Sequence, residues 1–332
     1  MIAASVAVIG CGISGIACAR ALTRAGLAPR VFEYQRAAGG RLATRRFEAA
    51  SFDHGAQYVT TRDPEFHRVI ESAKAAGVAG RWTPVWPGRE KRDGHLWVGA
   101  PGMSSLPRWL AQDLDVEYGA RIVRIERGRD GWILADDRGS AHANFDVVVL
   151  ALPAPVAAAL AGAHTALVEP LRGVRMAPCW AAMVAFERPL EGVPDAGFDP
   201  DPMLAWFARD GSKPGRGTPD AWVLHAGADW SRTEFEQPAA RVLEALLERF
   251  SERIGRTLPG TVLADCHRWR HARVEQPLGE PFLWDREAGI AFCGDWCLDA
   301  RAEAAWLSGQ ALGSALSEAR LAASSGKMRG SR

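Results

Sequence analysis

A short apolar segment followed by three spaced glycines constrains the fold of this chain more than any other feature. Residues 5–9 are typical of a buried strand, and Gly10, Gly12 and Gly15 follow with the spacing G-x-G-x-x-G. This spacing permits a tight turn, close approach of the backbone to a pyrophosphate, and close packing of the next helix on the strand. The sequence therefore predicts a helix from Ser14 to about Ala25 whose N-terminus binds the phosphates of a dinucleotide.

A second strand is predicted at residues 30–33, and Glu33 ends it. An acidic residue about 20 positions after the glycines binds ribose hydroxyls in dinucleotide-binding folds. The alternative for Glu33 is an ordinary surface carboxylate. Next comes a glycine pair followed by Arg41. Glycines permit close backbone contacts, and an arginine there can reach a pyrophosphate or ribose.

The composition is typical of a soluble globular chain and gives no case for a nucleic-acid or membrane-binding protein. Of 332 residues, 48% are hydrophobic and 24% are charged, and the net charge of +1 offers no attraction for polyanions. Glycines or prolines interrupt both long apolar runs, so we expect no signal peptide and no membrane span. The six scattered cysteines fit no common metal site and favour a reducing cytoplasm, so no metal is expected.

Hydrophobic spacing and turn residues predict the remaining elements. A near-continuous apolar strand at residues 145–153 is expected where a parallel sheet returns. From about residue 171, short segments rich in aromatic, glycine and proline residues are typical of an antiparallel sheet. The other predicted elements are strands at 116–125, 131–135, 180–186, 203–209, 221–226, 262–270 and 290–296, and helices at 63–73, 104–114, 238–254 and 303–319.

Three separated motifs together resemble FAD-binding flavoproteins of the glutathione-reductase-like superfamily. They are the first glycine motif, the Gly-Gly-Arg segment, and Gly294-Asp295 ahead of a C-terminal helix. The resemblance implies that Gly294 and Asp295 hold the ribityl-pyrophosphate part of FAD and that the backbone of residues 303–306 faces the flavin. A helix N-terminus there would stabilise the negative charge of reduced flavin.

Further segments look like those of bacterial renalases. They are Asp-His-Gly-Ala-Gln-Tyr at 53–58, Trp-Val-Leu-His-Ala at 222–226, His-Arg-Trp at 267–269, and Gly-Asp-Trp-Cys-Leu-Asp-Ala-Arg at 294–301 with Ala-Trp-Leu-Ser-Gly-Gln at 305–310. The resemblance covers nearly the whole chain. It implies an amine-oxidase-like fold that binds FAD noncovalently. It also implies an enzyme that oxidises the 2- and 6-dihydro isomers of NAD(P) to NAD(P)+. The hydride would go to flavin N5, and O2 would become hydrogen peroxide. Stacking and positioning matter more than acid–base chemistry in such a reaction.

The resemblance gives an α/β fold with a Rossmann-like FAD-binding domain of the glutathione-reductase type and a smaller, largely antiparallel α+β substrate subdomain. We expect the first at 1–80, 100–165 and 285–322, the second at 81–99 and 166–284, and a disordered tail at 323–332. Expected cofactor contacts are Gly10, Gly12, Ile13, Ser14, Gly15, Glu33, Gly40, Arg41, Ala56, Gln57, Ile122, Val123, Gly294, Asp295, Glu303, Ala304, Ala305 and Trp306. Expected substrate contacts are Gln57, Tyr58, Val59, Thr60, Thr61, Leu96, Trp97, Val98, His225 and Arg301, with Trp269 as a further positioning residue.

Two other functions stay open at this point. Many flavin amine oxidases place a lysine beside flavin N5, but the lysines here fall on a helix, in loops or in the tail, at Lys74, Lys91, Lys213 and Lys327. A flavin-binding sensor without turnover is the second alternative. For His225 the simpler interpretation is a strand histidine with its hydrogen bonds satisfied, for Trp269 it is core packing, and for Arg301 it is a surface salt bridge. Neither the preferred isomer nor the oligomeric state follows from the sequence.

Overall fold

The computed structural model describes residues 5–87, 95–199, 201–217 and 219–329, with side chains up to residue 320. It divides the chain into two compact units. Unit 1 is Met1–Gly40, Pro107–Arg175 and Val274–Arg332, and unit 2 is Arg41–Leu106 and Met176–Arg273. Residues 41–80 therefore belong to unit 2, although the sequence places them in the FAD-binding domain. The reason is packing, because Phe52 joins a core cluster with Met183 and Val223.

The described strands, in chain order, are β1 (Val6–Ile9), β2 (Arg30–Glu33), β3 (Arg45–Arg46), β4 (Ser51–Phe52), β5 (Ala79–Trp82), β6 (Leu96–Gly99), β7 (Asp115–Tyr118), β8 (Ile122–Arg127), β9 (Trp132–Asp136), β10 (Ala141–Phe145), β11 (Val147–Leu150), β12 (Arg175–Phe186), β13 (Ala196–Phe198), β14 (Leu204–Arg209), β15 (Asp220–Ala226), β16 (Thr261–Gln276), β17 (Leu283–Asp285) and β18 (Ile290–Phe292). The α-helices are α1 (Ile13–Arg24), α2 (Pro64–Ala75), α3 (Ser105–Leu110), α4 (Ala154–Ala161), α5 (Val168–Leu171), α6 (Ala228–Thr233), α7 (Ala239–Ile254) and α8 (Ala302–Arg329).

Unit 1 is built on a six-stranded sheet in the order β17-β18-β11-β1-β2-β7. All neighbouring strands run parallel except the pair β17 and β18. The central strand β1 is buried along its whole length, as an apolar strand covered on both faces should be. Together with α1 after the glycines, this confirms the predicted strand, turn and helix and the return of the parallel sheet at β11.

The predictions of two long strands in unit 1 are wrong. The segment 116–125 forms β7 and β8, because Gly119 adopts a φ of +72° and turns the chain between them. The segment 145–153 divides at Asp146, where β10 ends and β11 joins a different sheet. As a result β8, β9 and β10 form a separate three-stranded antiparallel sheet.

Helices α1 and α8 of unit 1 pack very closely through glycines of α8. A Cβ on Gly309 would lie 2.0 Å from the carbonyl oxygen of Ser14, and one on Gly313 would lie 2.7 Å from that of Cys18. Helix α8 continues to Arg329 along an alanine-rich sequence, whereas we expected disorder from residue 323. Residues 330–332 of that expected tail lie outside the described residues. Among the described helices, none has the length and apolar character needed to cross a membrane.

Unit 2 contains a five-stranded sheet in the order β13-β14-β15-β12-β16. The pairs β12–β15, β13–β14 and β14–β15 are antiparallel, as the sequence predicts for this region. Helix α7 covers one face of this sheet with Val242, Leu246 and Phe250, and this confirms the predicted amphipathic helix. Two short hairpins, β3–β4 and β5–β6, complete the unit.

Helix α2 begins with the cap that the sequence predicts. Asp63 Oδ1 accepts the backbone N–H groups of Glu65 and Phe66 at 2.9 and 2.8 Å. We expect Asp63→Ala to lower the free energy of unfolding by about 1 kcal/mol, because these two donors lose their acceptor. Urea denaturation measures the difference. The exposed Glu48, substituted by alanine, is the control and should change stability by less than about 0.5 kcal/mol.

Candidate functional site

The glycine turn of unit 1 leaves open space at one of its three glycines. A Cβ on Gly10, whose φ is +105°, would lie 2.5 Å from the carbonyl oxygen of Ala151. A Cβ on Gly15 would lie 1.9 Å from the carbonyl oxygen of Gly10, so both glycines are required by the fold. Gly12, the N-cap of α1, has no atom within 4 Å of its Cβ position. This cradle at a helix N-terminus fits the pyrophosphate of a dinucleotide.

Glu33 lies directly against this turn. Its Oε2 accepts the backbone N–H of Cys11 at 2.7 Å, and its Oε1 accepts that of Gln35 at 2.9 Å. Burial raises the pKa of Glu33, and the backbone hydrogen bonds partly oppose that rise. Each carboxylate oxygen has a second lone pair, so the group can also accept a ribose hydroxyl. Glu33 is thus not the ordinary surface carboxylate of the alternative interpretation, since it is only 3% exposed.

The Gly-Asp segment of unit 1 is tightly built. The N–H of Gly294 donates to Ser308 Oγ at 3.0 Å, and a Cβ at this glycine would lie 2.3 Å from Trp296 Nε1. Asp295 is buried, and its Oδ1 accepts the N–H of Trp296 at 2.9 Å. Any larger residue at 294 would therefore displace the tryptophan ring.

The turn before α8 contains Arg301, which the sequence assigns to substrate. Its Nε donates to Asp299 and its Nη1 to Glu303, both at 2.8 Å. Glu303 is itself buried, as are Ala304 and Trp306 at the start of α8. Arg301 therefore fixes the geometry of this turn by two ion pairs. At the start of β8, Ile122 is buried whereas Val123 is 53% exposed, and the cofactor role expected of both stays a prediction.

Unit 2 contains a group of fully buried charges that sequence reasoning missed. We call it the buried charge cluster: Asp53, Asp210, Lys213 and Arg216, each with at most 4% of its side chain exposed. Lys213 Nζ contacts Asp53 Oδ2 at 3.4 Å and also pairs with Asp210, and Arg216 pairs with Asp53. Burying charges is costly unless they are paired in this way.

Asp53 is the centre of this cluster. Burial alone would raise the pKa of Asp53, but the cations Lys213 and Arg216 outweigh burial and hold it below its ordinary value. Its Oδ1 also accepts the hydroxyl of Thr44 and the N–H of Met103, both at 2.7 Å. The carboxylate is therefore ionised and fully engaged at neutral pH.

The cluster contains one of the four lysines. Lys213 lies in a loop, as the sequence predicts, and it is buried. Its Nζ donates to Gln57 Oε1 at 3.1 Å, and Gln57 Nε2 donates to the carbonyl oxygens of Asp53 and Gly55. The side-chain amide that we expected to contact cofactor and substrate is thus held in one orientation by the chain itself. Lys91 lies outside the described residues.

The segment 53–58 also brings together the aromatic residues predicted for the substrate. The carbonyl oxygen of His54 accepts the N–H of Trp269 Nε1 at 3.0 Å and that of His225 Nε2 at 3.2 Å. The Trp269 ring stacks on the His54 ring with centroids 5.0 Å apart, and the His267 ring meets both at steep angles. We call these four residues the His54 group.

Imidazoles of the His54 group are uncharged at neutral pH. Burial lowers the pKa of His54 from 6.5 to about 3, and positive neighbours add to the effect. Burial also lowers the pKa of His225 to about 4. The buried Nδ1 of His54 makes no hydrogen bond to the described residues, so one polar atom of the group is unsatisfied. The group is therefore a neutral aromatic surface without a strong acid or base.

A pH effect on stability follows from these shifts. Because both histidines bind protons more weakly when folded, the unfolded chain takes up more protons below about pH 6.5. We expect the contribution of these two histidines to the free energy of unfolding to be constant above that pH. Between about pH 6.5 and pH 4 it should fall by up to about 1.4 kcal/mol per pH unit for each histidine. Urea titrations of the wild type and of His225→Asn measure the slope. An equal slope in the two proteins would contradict the assignment.

Other predicted substrate residues lie in unit 2, and three of them, Val59, Trp97 and Val98, are buried. Val59 and Trp97 form a β-bridge through two backbone hydrogen bonds of 2.7 and 2.9 Å. Trp97 and Val98 are at most 3% exposed, and the Trp97 ring lies below Lys74 of α2. Tyr58 instead approaches the rings of Trp82 and Trp206, at 6.4 and 5.9 Å. The remaining predicted contacts in this unit are partly exposed: Ala56, Thr60, Thr61 and Leu96. Of these, Thr61 Oγ1 hydrogen-bonds to His67 Nδ1 at 2.9 Å, and Leu96 pairs with Trp82 in the β5–β6 hairpin.

Comparison with known proteins identifies the family. A model described as flavin containing amine oxidoreductase matches residues 82–312, and one described as an NAD(P)-binding Rossmann-like domain matches residues 8–73. Among solved structures, cyclohexylamine oxidase from Brevibacterium oxydans IH-35A is similar with a TM-score of 0.75 at 13% identity, over 96% of this chain and 99% of that chain.

Two further structures share the fold. A candidate protoporphyrinogen oxidase from Exiguobacterium sp. 255-15 is similar with a TM-score of 0.74 at 13% identity, over 96% of this chain and 99% of that one. Putrescine oxidase bound to putrescine gives a TM-score of 0.70 at 13% identity, over 97% and 99%. The first family match covers most of the sequence, and the glycine cradle fits its cofactor, FAD. The chain belongs to the flavin containing amine oxidoreductase family.

Proposed function

We propose that this protein is an FAD-dependent oxidase of mis-reduced dihydronicotinamide dinucleotides, the 2- and 6-dihydro forms of NAD(P). The observation that carries the proposal is the His54 group, in which the three segments 53–58, 222–226 and 267–269 meet at one carbonyl oxygen. These are three of the segments that resemble renalases. Their convergence supports a shared site for one substrate.

The chemical character of the His54 group supports a dihydronicotinamide. Oxidation of such a ring removes a hydride, so it requires no side chain to abstract a proton. It does require a flat ring to be held in one orientation. Trp269 and the neutral imidazoles of His54 and His225 offer stacking surfaces and hydrogen-bonding atoms but no charge.

Residues of unit 1 would hold the cofactor. The open space at Gly12 and the N-terminus of α1 would receive the pyrophosphate, and Glu33 a ribose. Gly294 and Asp295 would contact the ribityl side. Bound noncovalently, FAD would supply the hydride acceptor, with O2 as the final electron acceptor giving hydrogen peroxide. In this proposal Arg301 is a positioning residue, because its guanidinium already bridges Asp299 and Glu303.

A flavin amine oxidase is the second candidate, and two observations favour it. The family match and the solved structures include amine oxidases, and Lys213 is buried beside Gln57. However, the Lys213 ammonium is already paired with two carboxylates. It is therefore poorly suited to hold a water for catalysis.

Oxygen uptake by the purified holoenzyme separates the two candidates. We expect uptake with the 2- or 6-dihydro isomers of NAD(P) and none with primary or secondary amines. Trp269→Ala should raise KM or lower kcat for the isomers, and Trp284→Ala in unit 1 is a matched tryptophan control. Uptake with amines alone would refute the proposal in favour of the second candidate.

A further inference from the structure

We propose that Glu117, Asp136 and His142 of unit 1 form a binding site for a divalent transition-metal ion of the zinc class. The residues lie on three strands, β7, β9 and β10. One ligand atom from each lies within 4.8 Å of the other two. The site is separate from the glycine cradle and does not depend on the proposed oxidase function.

The strand pairing explains why these side chains meet. Glu117 is paired in register with Phe32 of β2, so both side chains lie on the same face of the parallel sheet. The His142 ring packs on the Phe32 ring with centroids 4.8 Å apart. Asp136 ends β9, and its Oδ1 is fixed by the backbone N–H of Ser140 at 2.8 Å. The remaining oxygen of Asp136 is thereby turned toward the imidazole.

His142 is the residue that points to a ligand. Only 10% of its side chain is exposed, and its buried Nε2 makes no hydrogen bond to the described residues. Nε2 lies 3.8 Å from Asp136 Oδ2, and Nδ1 lies 3.6 Å from Glu117 Oε2. Both distances are longer than the donor–acceptor distance of a hydrogen bond. An unpaired buried nitrogen is costly, and imidazole nitrogen and carboxylate oxygen are both zinc ligands in proteins.

Two cations already balance these carboxylates. Arg30 Nη2 lies 3.0 Å from Glu117 Oε2. Arg138 Nη2 lies 3.1 Å from Asp136 Oδ2 and 3.8 Å from Glu117 Oε1. This arginine lies on the hairpin between β9 and β10 and is 54% exposed, so it can rotate into solvent without unfolding either strand. Metal binding would then replace one positive group by another, with water completing the coordination. The geometry therefore makes Arg138 a competitor of the metal.

Zinc titration of the full-length holoenzyme by calorimetry tests the site, with cobalt absorption as a second readout of coordination. Wild type should bind about one ion. Loss of a residue that only hydrogen-bonds to a metal ligand weakens metal binding by roughly tenfold to hundredfold. His142→Ala removes a ligand itself and should weaken zinc binding by at least as much. His164→Ala, an exposed histidine of the same unit, is the control and should bind like wild type.

Arg138→Ala gives the sharper test, because the proposed metal site predicts a higher zinc affinity in this variant. Removal of the competing guanidinium should tighten zinc binding, whereas a purely structural cluster predicts no zinc binding in any variant. This variant also covers the case in which His142→Ala does not fold. Equal zinc affinity of His142→Ala and His164→Ala, or weaker binding by Arg138→Ala than by wild type, would overturn the proposal.

Discussion

Replacement of Lys213 by methionine is expected to lower the free energy of unfolding by about 3–5 kcal/mol, because it leaves the buried carboxylate of Asp210 without its cation. Among the described residues, Asp210 loses its only cationic partner within hydrogen-bond distance. Asp53 keeps one of its two cations, Arg216. Gln57 also loses the donor to its Oε1. Urea denaturation at neutral pH, followed by tryptophan fluorescence, measures the change.

The control for this experiment is Lys74→Met on helix α2. Lys74 is 54% exposed, pairs with the surface residue Glu71 and lies over the Trp97 ring, so its loss should change stability by less than about 1 kcal/mol. If Lys213→Met were no more destabilising than Lys74→Met, the buried charge cluster would not depend on the ammonium, and the assigned ion pairs would be wrong.

Substitution of Gly12 by alanine is expected to weaken FAD binding by about five- to 150-fold while leaving the fold intact. The added methyl group meets no protein atom within 4 Å, and the φ of Gly12 is an ordinary −81°. The methyl group therefore affects only FAD binding, because the pyrophosphate would approach the backbone at this position. We expect this overpacking to weaken the free energy of binding by about 1–3 kcal/mol. Absorbance of bound FAD and a fluorescence titration of apoprotein with FAD measure the loss.

Two glycine variants complete this test. Gly217→Ala in unit 2 also adds a methyl group with no atom within 4 Å and should leave FAD affinity unchanged. Gly15→Ala should instead reduce stability, because its Cβ collides with the carbonyl oxygen of Gly10. Wild-type FAD affinity in Gly12→Ala would mean that the cradle does not hold the pyrophosphate.

Sequence reasoning succeeded where the determining contacts are local. The turn at Gly10, Gly12 and Gly15 and the cap at Asp63 depend on residues within a few positions of one another, so spacing alone predicts them. The position of Glu33 against the glycine turn was predictable, because its sequence distance from the glycines is characteristic of dinucleotide-binding folds. The mixture of polar and aromatic residues at 53–58 likewise marked a segment with a special role.

The buried charge cluster could not be found in the same way. Lys213 and Asp53 are 160 positions apart, and nothing around either residue distinguishes a buried ion pair from a solvated loop. A weak signal did exist, since Asp210 and Lys213 are three positions apart. The His54 group was predicted only in part: His225 and Trp269 were named, but the residue to which both donate was not.

An anaerobic stopped-flow experiment on the yellow protein tests the proposed function most directly. The protein is mixed with 2- or 6-dihydro-NAD(P) in one series and with ordinary 4-dihydro-NADH or an amine in another, and flavin absorbance is followed. We predict rapid bleaching with a 2- or 6-dihydro isomer, much slower bleaching with 4-dihydro-NADH, and recovery of the colour in air. Bleaching by an amine, with no response to any dihydronicotinamide, would contradict the proposal.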